Sequence, residues 1–153
     1  MMLKSGVQGG ILLTGTQPGV KNIALEIKKE NSEIKPQVSG NSVTMNIQIQ
    51  LGVNIGEEND KNKKFTVGNG EIRMTEDAAS KTVKKGVEDM ISDMQKNYGV
   101  DILGFANAIY QKKPNDWKRI SKNWSSIFPK VKCNVTADVK IYSSGTIVPK
   151  GGE

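Results

Sequence analysis

The chain has 153 residues, 36% of them hydrophobic and 25% charged, which suits one soluble domain that buries roughly two thirds of its unfolded surface. It contains no histidine and a single cysteine, Cys133, so an internal disulfide, a Cys/His zinc site and a histidine-dependent triad are excluded. The net charge of +6 is uneven, with +2 over 1–55, −1 over 56–100 and +5 over 101–153, which raises an anionic membrane or a nucleic acid as partners to be weighed.

Residues 1–4 and 149–153 read as flexible ends of a single domain. No apolar run approaches the about 20 residues that cross a bilayer, and nothing at the start reads as a signal peptide. Ile11-Leu12-Leu13 is a short apolar element. Ile23, Leu25 and Ile27 then alternate with polar residues, Ile34 and Val38 flank Pro36, and Val43, Met45, Ile47, Ile49 and Leu51 alternate without a break. These predict antiparallel strands wet on one face, with turns at Asn31-Ser32 and Ser39-Gly40-Asn41 and an edge position or bulge at Pro36. Residues 52–74 predict a polar loop, with Phe65-Thr66-Val67 as a short strand.

From Thr75 the period becomes helical. Thr75 is the expected N-cap, Gly99 the terminator, and Ala79, Val83, Val87, Met90, Ile91, Met94 and Tyr98 the buried arc. A second helix is expected over Asp101–Gln111, capped by Asp101 and burying Ile102, Leu103, Phe105, Ala106, Ile109 and Tyr110. A third runs from Pro114-Asn115 to Pro129, and Val131, Cys133, Val135, Ala137, Val139 and Ile141 alternate in a long final strand. The expected fold is α+β: a mainly antiparallel sheet of about four to six strands, about three helices in one layer, and a C-terminal strand returning to the sheet.

The basic residues Lys118, Arg119 and Lys122 lie near Trp117 and Trp124, a mixture that in other proteins stacks nucleic-acid bases. At about 100° per residue, however, Trp117, Ile120, Trp124, Ile127 and Phe128 share one arc and the three cations point away. Trp117, Trp124, Phe105, Ile120 and Phe128 are therefore expected in the core. Lys118, Arg119 and Lys122 are expected to face solvent, a protein partner or a membrane, with no nucleic acid bound. Glu57, Glu58 and Asp60 lack calcium-loop spacing, and Gly9-Gly10 and Gly15 lack the lysine and helix of a phosphate loop, so no metal, cofactor or catalytic residue is assigned. Asp101 would need a partner acid, base or metal for catalysis, whereas capping needs only free amides. Cys133 falls on the apolar side of its strand and reads as an inert buried thiol.

Tyr98-Gly99-Val100-Asp101-Ile102-Leu103-Gly104-Phe105, Trp117, Trp124 to Pro129, the final alternating strand, Gly10 to Gly15 and Glu33-Ile34-Lys35-Pro36 form a combination that resembles the C-terminal domain of the Ger(x)C spore germination proteins over residues 5–148. The resemblance implies the C-terminal domain of a lipoprotein subunit of a spore germinant receptor, held at the outer face of the spore inner membrane beside membrane-embedded A and B subunits. It implies a non-enzymatic scaffold or interaction module in nutrient-triggered germination. A module binding a small-molecule germinant is the alternative, and a basic nucleic-acid-binding domain a more distant one. The family supplies no catalytic or ligand motif to carry onto these positions, and Ile55 to Met74 is longer and more polar than its pattern.

Overall fold

The computed structural model describes residues 11–13, 24–55 and 69–144. The elements are β1 (Ile11–Leu13), β2 (Ala24–Ser39), β3 (Ser42–Ile55), α1 (Asn69–Asp93) continued by a π-helical turn (Met94–Tyr98), α2 (Phe105–Lys112), α3 (Pro114–Ile120), α4 (Trp124–Ile127) and β4 (Lys132–Ser144). They form an α+β fold with a four-stranded sheet in the order β1-β2-β3-β4.

Local sequence explains most of the pairing. β1 pairs antiparallel with β2, Leu12 opposite Leu25. A two-residue turn, Gly40-Asn41, closes β2 onto β3. Gly40 has φ +59° and no non-glycine residue among those described has positive φ, the pattern of a turn that needs glycine at its first central position. β4 follows the helices and runs alongside β3 in the same direction: Asn134 donates to Asn46 at 3.0 Å and the Thr136 hydroxyl to the Ile47 carbonyl at 3.4 Å, so both chains advance together.

Three expectations change. No turn occurs at Asn31-Ser32, because β2 continues as one 16-residue strand. Its burial phase shifts instead: Leu25 and Ile27 are buried, Lys28 and Lys29 are both exposed, and the inward positions then fall on Glu30, Ser32, Ile34, Pro36 and Val38. One extra residue in the strand produces such a shift. Secondly, α1 begins at Asn69, so Thr75 is not its N-cap but a buried interior residue, 3% exposed. Ile72, Thr75 and Ala79 continue the apolar period backwards through a segment whose glycines read as loop. Thirdly, the third helix is broken: α3 gives way to a 3₁₀ turn at Ser121–Asn123 before α4, and a second 3₁₀ turn follows at Phe128–Lys130. The strand expected at Phe65–Val67 and the loop at 56–64 lie outside the described residues.

The chain divides into two compact units. Unit 1 comprises Ser32–Ile49 and Lys84–Thr136; unit 2 comprises the described parts of Met2–Asn31, Gln50–Val83 and Ala137–Glu153. In unit 1 the interior is Val43, Met45, Ile47 and Ile49 of β3 with Val87, Ile91, Phe105, Ile109, Ile120, Ile127, Phe128, Val131 and Val135. Two cations fasten helices to the β2–β3 hairpin: Lys112 donates to the Ile34 carbonyl at 2.7 Å, and Arg119 to the Gly40 carbonyl at 2.7 Å.

In unit 2 the interior is Leu25, Ile27, Leu51, Val53, Ala78, Ala79, Val83 and Val139. Here α1 meets the outer edge of β4 through polar side chains. The Val139 amide donates to Ser80 Oγ at 3.0 Å, the Ile141 amide to Glu76 Oε2 at 3.3 Å, and Ser80 Oγ donates back to the Glu76 carbonyl at 2.8 Å.

Glu30, also in unit 2, is half-buried with Oε1 shut away from water and no hydrogen-bond partner among the described residues. Desolvation pushes its carboxyl above the ordinary glutamate range. The folded state therefore favours the protonated form. Its contribution to stability is most favourable below the unfolded pKa of about 4.3 and declines as pH rises through the raised folded value. Glu30→Gln is expected to raise the melting temperature at pH 7 while changing it little at about pH 3.5. Equal shifts at both pH values would contradict this assignment.

Candidate functional site

The most distinctive surface lies in unit 1, where α1 turns into α2. The last turn of α1 widens into the π-helical Met94–Tyr98, and Gly99, at φ +60°, ends it with its amide on the Met94 carbonyl at 2.7 Å. Only a residue without a Cβ enters this left-handed conformation cheaply. Gln95, on that turn, donates to the carbonyls of both Phe128 and Val131 at 2.9 Å, tying it to the chain leading into β4. Asn97 is hydrogen-bonded to Asp93.

Beyond Gly99 the loop is held just as firmly. The Ile102 amide donates to the Val100 carbonyl at 3.1 Å. Asp101 accepts from the amides of Phe105 at 2.8 Å and Ala106 at 2.7 Å, one on each carboxylate oxygen. These are first-turn donors of α2, which the helix itself cannot satisfy. The position next to the helix is Gly104, at φ +78°, so Asp101 reaches the helix end from outside the helix rather than beginning it.

This held loop presents apolar side chains to water. Tyr98 is 67% exposed, Val100 52% and Ile102 49%. That reverses the sequence expectation for Tyr98 and Ile102, and Tyr110 on α2 is exposed as well. A π turn carries more residues per turn than 3.6, so the helical wheel loses register before Tyr98. Val100–Gly104 is loop, where the wheel does not apply.

Behind the tip stands an aromatic cluster. Phe105 and Phe128 lie 6.0 Å apart between ring centroids, Trp124 lies 5.9 Å from Phe128, and Trp117 meets Trp124 edge to face at 5.6 Å and 70°. Phe105, Ile120 and Phe128 are buried as expected from sequence, but the two tryptophans are only half-buried, which corrects their assignment to the core. A 3₁₀ turn interrupts the helix between them, and the two indoles pack against each other, each half-buried. Trp124 Nε1 is buried without an acceptor among the described residues, in the company of these rings. An indole N–H can rest weakly on an aromatic face.

The basic side chains do not act as a set. Lys118, Arg119 and Lys122 are all exposed, yet Arg119 is committed to the Gly40 carbonyl and to Asp116 at 3.3 Å. Lys118 and Lys122 make no ion pair among the described residues. Cys133 is half-buried rather than buried, and desolvation pushes its thiol up to about 11, which disfavours the reactive thiolate. Among the described residues no three acidic or cysteine side chains gather as metal ligands, and no helix is long and apolar enough to cross a membrane.

One feature escaped the sequence reading. Gly52, read from sequence as the start of the polar loop over 52–74, instead stands in the interior of β3, which runs to Ile55, beneath the Tyr142 ring.

Fold and surface together define an α+β domain whose elaborated feature is a braced apolar tip on an aromatic base. Residues 1–145 match the family described as spore germination B3/GerAC like, C-terminal, and the chain belongs to that family. Among curated proteins of Bacillus subtilis (strain 168), spore germination protein YndF is 26% identical over 140 residues, covering 92% of this chain and 34% of that protein. Spore germination protein B3 is 24% identical over 142 residues, 92% of this chain and 37% of that protein. The chain thus spans about a third of the length of these relatives. The crystal structure of the GerBC protein shares the fold, with a TM-score of 0.73 and 22% identity over 89% of this chain and 41% of that one. Family membership ties the domain to spore germination.

Proposed function

We propose that this is a non-enzymatic scaffold and interaction domain of a membrane-tethered germination protein, and that it docks through the Tyr98–Ile102 tip. The partners in this reading are the membrane-embedded A and B subunits of a germinant receptor, at the outer face of the spore inner membrane. The observation that carries it is the bracing of exposed apolar residues. Connecting loops are ordinarily polar and mobile. Here a π turn, two left-handed glycines and a doubly bonded Asp101 fix a loop whose side chains point to water. A pre-organised apolar anchor loses little entropy when it enters a partner's pocket, which is how a few residues come to dominate an interface.

The test is co-purification of the lipidated full-length parent with the membrane subunits, comparing wild type with the double substitution Val100→Asp, Ile102→Asp. Both residues are exposed, so the domain should keep its melting temperature while capture falls about tenfold or more. Undiminished capture by a folded double variant would refute docking through the tip.

A further inference from the structure

Unit 2 carries a second surface that family membership does not explain. Glycine in a strand interior weakens the strand unless something approaches the backbone closely. At Gly52 that something is Tyr142 of β4: a Cβ on Gly52 would lie 2.0 Å from one ring carbon and within 2.8 Å of two more. The phenol ring lies across bare backbone, yet Tyr142 is 62% exposed, so an aromatic surface is seated on the sheet and left open to solvent.

Beside the ring opens a cavity of about 250 Å³, walled by Lys29, Asn31, Gln50, Asp138 and Lys140. That is just below the range of typical small-molecule sites and suits one or two small rings. The wall groups differ in how far they are already engaged. Lys140 is shared between Asp138 at 3.7 Å and Glu76 at 4.0 Å. Asn31 donates to Gln50 only across a long 3.5 Å, leaving most of the donor and acceptor capacity of two amides unused. Lys29 makes no ion pair among the described residues.

An aromatic platform ringed by amides, a carboxylate and the Lys29 ammonium matches a ligand with a flat C–H face, several hydroxyls and one negative charge. We infer that unit 2 holds a binding site for an acidic saccharide, a pyranose ring bearing a carboxylate. The sugar ring rests on Tyr142, its hydroxyls meet Asn31, Gln50 and Asp138, and its carboxylate meets Lys29. This site does not depend on the docking role of the tip.

Nuclear magnetic resonance titration of the 153-residue chain with glucuronic acid, glucose and acetate tests it. Glucuronic acid should shift the amide signals of Gln50, Gly52 and Asp138 to Tyr142, in fast exchange with a dissociation constant of about 1–10 mM. Glucose should bind the same residues about fivefold more weakly for want of the Lys29 contact. Lys29→Gln should remove the preference for the acid. Gly52→Ala displaces only the far end of an exposed ring, so it should leave the melting temperature nearly unchanged while weakening glucuronic acid about tenfold. The inference fails if no shifts arise up to about 50 mM, if they arise elsewhere, if acetate reproduces the glucuronic acid pattern, or if Gly52→Ala binds like wild type.

Discussion

Phe105→Ala is expected to destabilise the folded chain by about 3–5 kcal/mol. Phe105 is fully buried as the first residue of α2 and stacks obliquely on Phe128 at 6.0 Å. Removing the ring loses its transfer free energy and opens a cavity beneath the tip, while Asp101 still holds the backbone above it and limits collapse. Against a total stability of about 5–15 kcal/mol typical of such domains, this is a large fraction. Urea denaturation should show a lower midpoint with an unchanged slope. Phe105→Leu refills part of the space and should cost about 1–2 kcal/mol. A loss below about 1 kcal/mol for the alanine variant would mean that α2 is not anchored through this ring.

Asp101→Ala is expected to cost about 2–3 kcal/mol and also to loosen the tip. The carboxylate satisfies two first-turn amides, at 2.8 and 2.7 Å, and hydrogen bonds to a charged group are stronger than neutral ones. Alanine leaves both donors seeking water at a partly buried site. Asp101→Asn keeps one acceptor oxygen and should recover about half of the loss. Hydrogen exchange discriminates a cap from a mere surface charge: the amides of Phe105 and Ala106 should lose protection first, followed by those of the loop from Gly99 to Gly104. If Asp101 braces the docking surface, the alanine variant should also bind membrane subunits more weakly although no exposed apolar side chain of the tip has changed. Unaltered protection at Phe105 and Ala106 would remove Asp101 from this role.

The strands were legible wherever the period of two ran unbroken, as in Val43 to Leu51 and Val131 to Ile141, because alternation reports burial directly. The continuity of β2 was not, since an added residue at Lys28-Lys29 imitates a break between two strands. Pro36 illustrates a partial success. β1 pairs only with Ala24 to Glu26, so the outer side of β2 at Pro36 has no described partner strand to which an amide would be owed. The aromatic base was legible as a helical arc, whereas the 3₁₀ interruption between its two half-buried indoles was announced by no local residue. The tip was the least legible part. Its motif was conspicuous, but exposure there follows from a π turn and two glycines in left-handed conformation, and a wheel drawn at a constant angle cannot represent them. The saccharide site unites β2, β3 and β4 across long sequence separations, beyond the reach of any local pattern.

Ser80 and Glu76, by their hold on the last strand, also govern how the molecule behaves in company. An outermost strand with bare amides is a template on which another extended chain can grow, and runaway growth of that kind ends in fibres. By occupying the amides of Val139 and Ile141, α1 covers this stretch of β4, so another extended chain should not add to the sheet there.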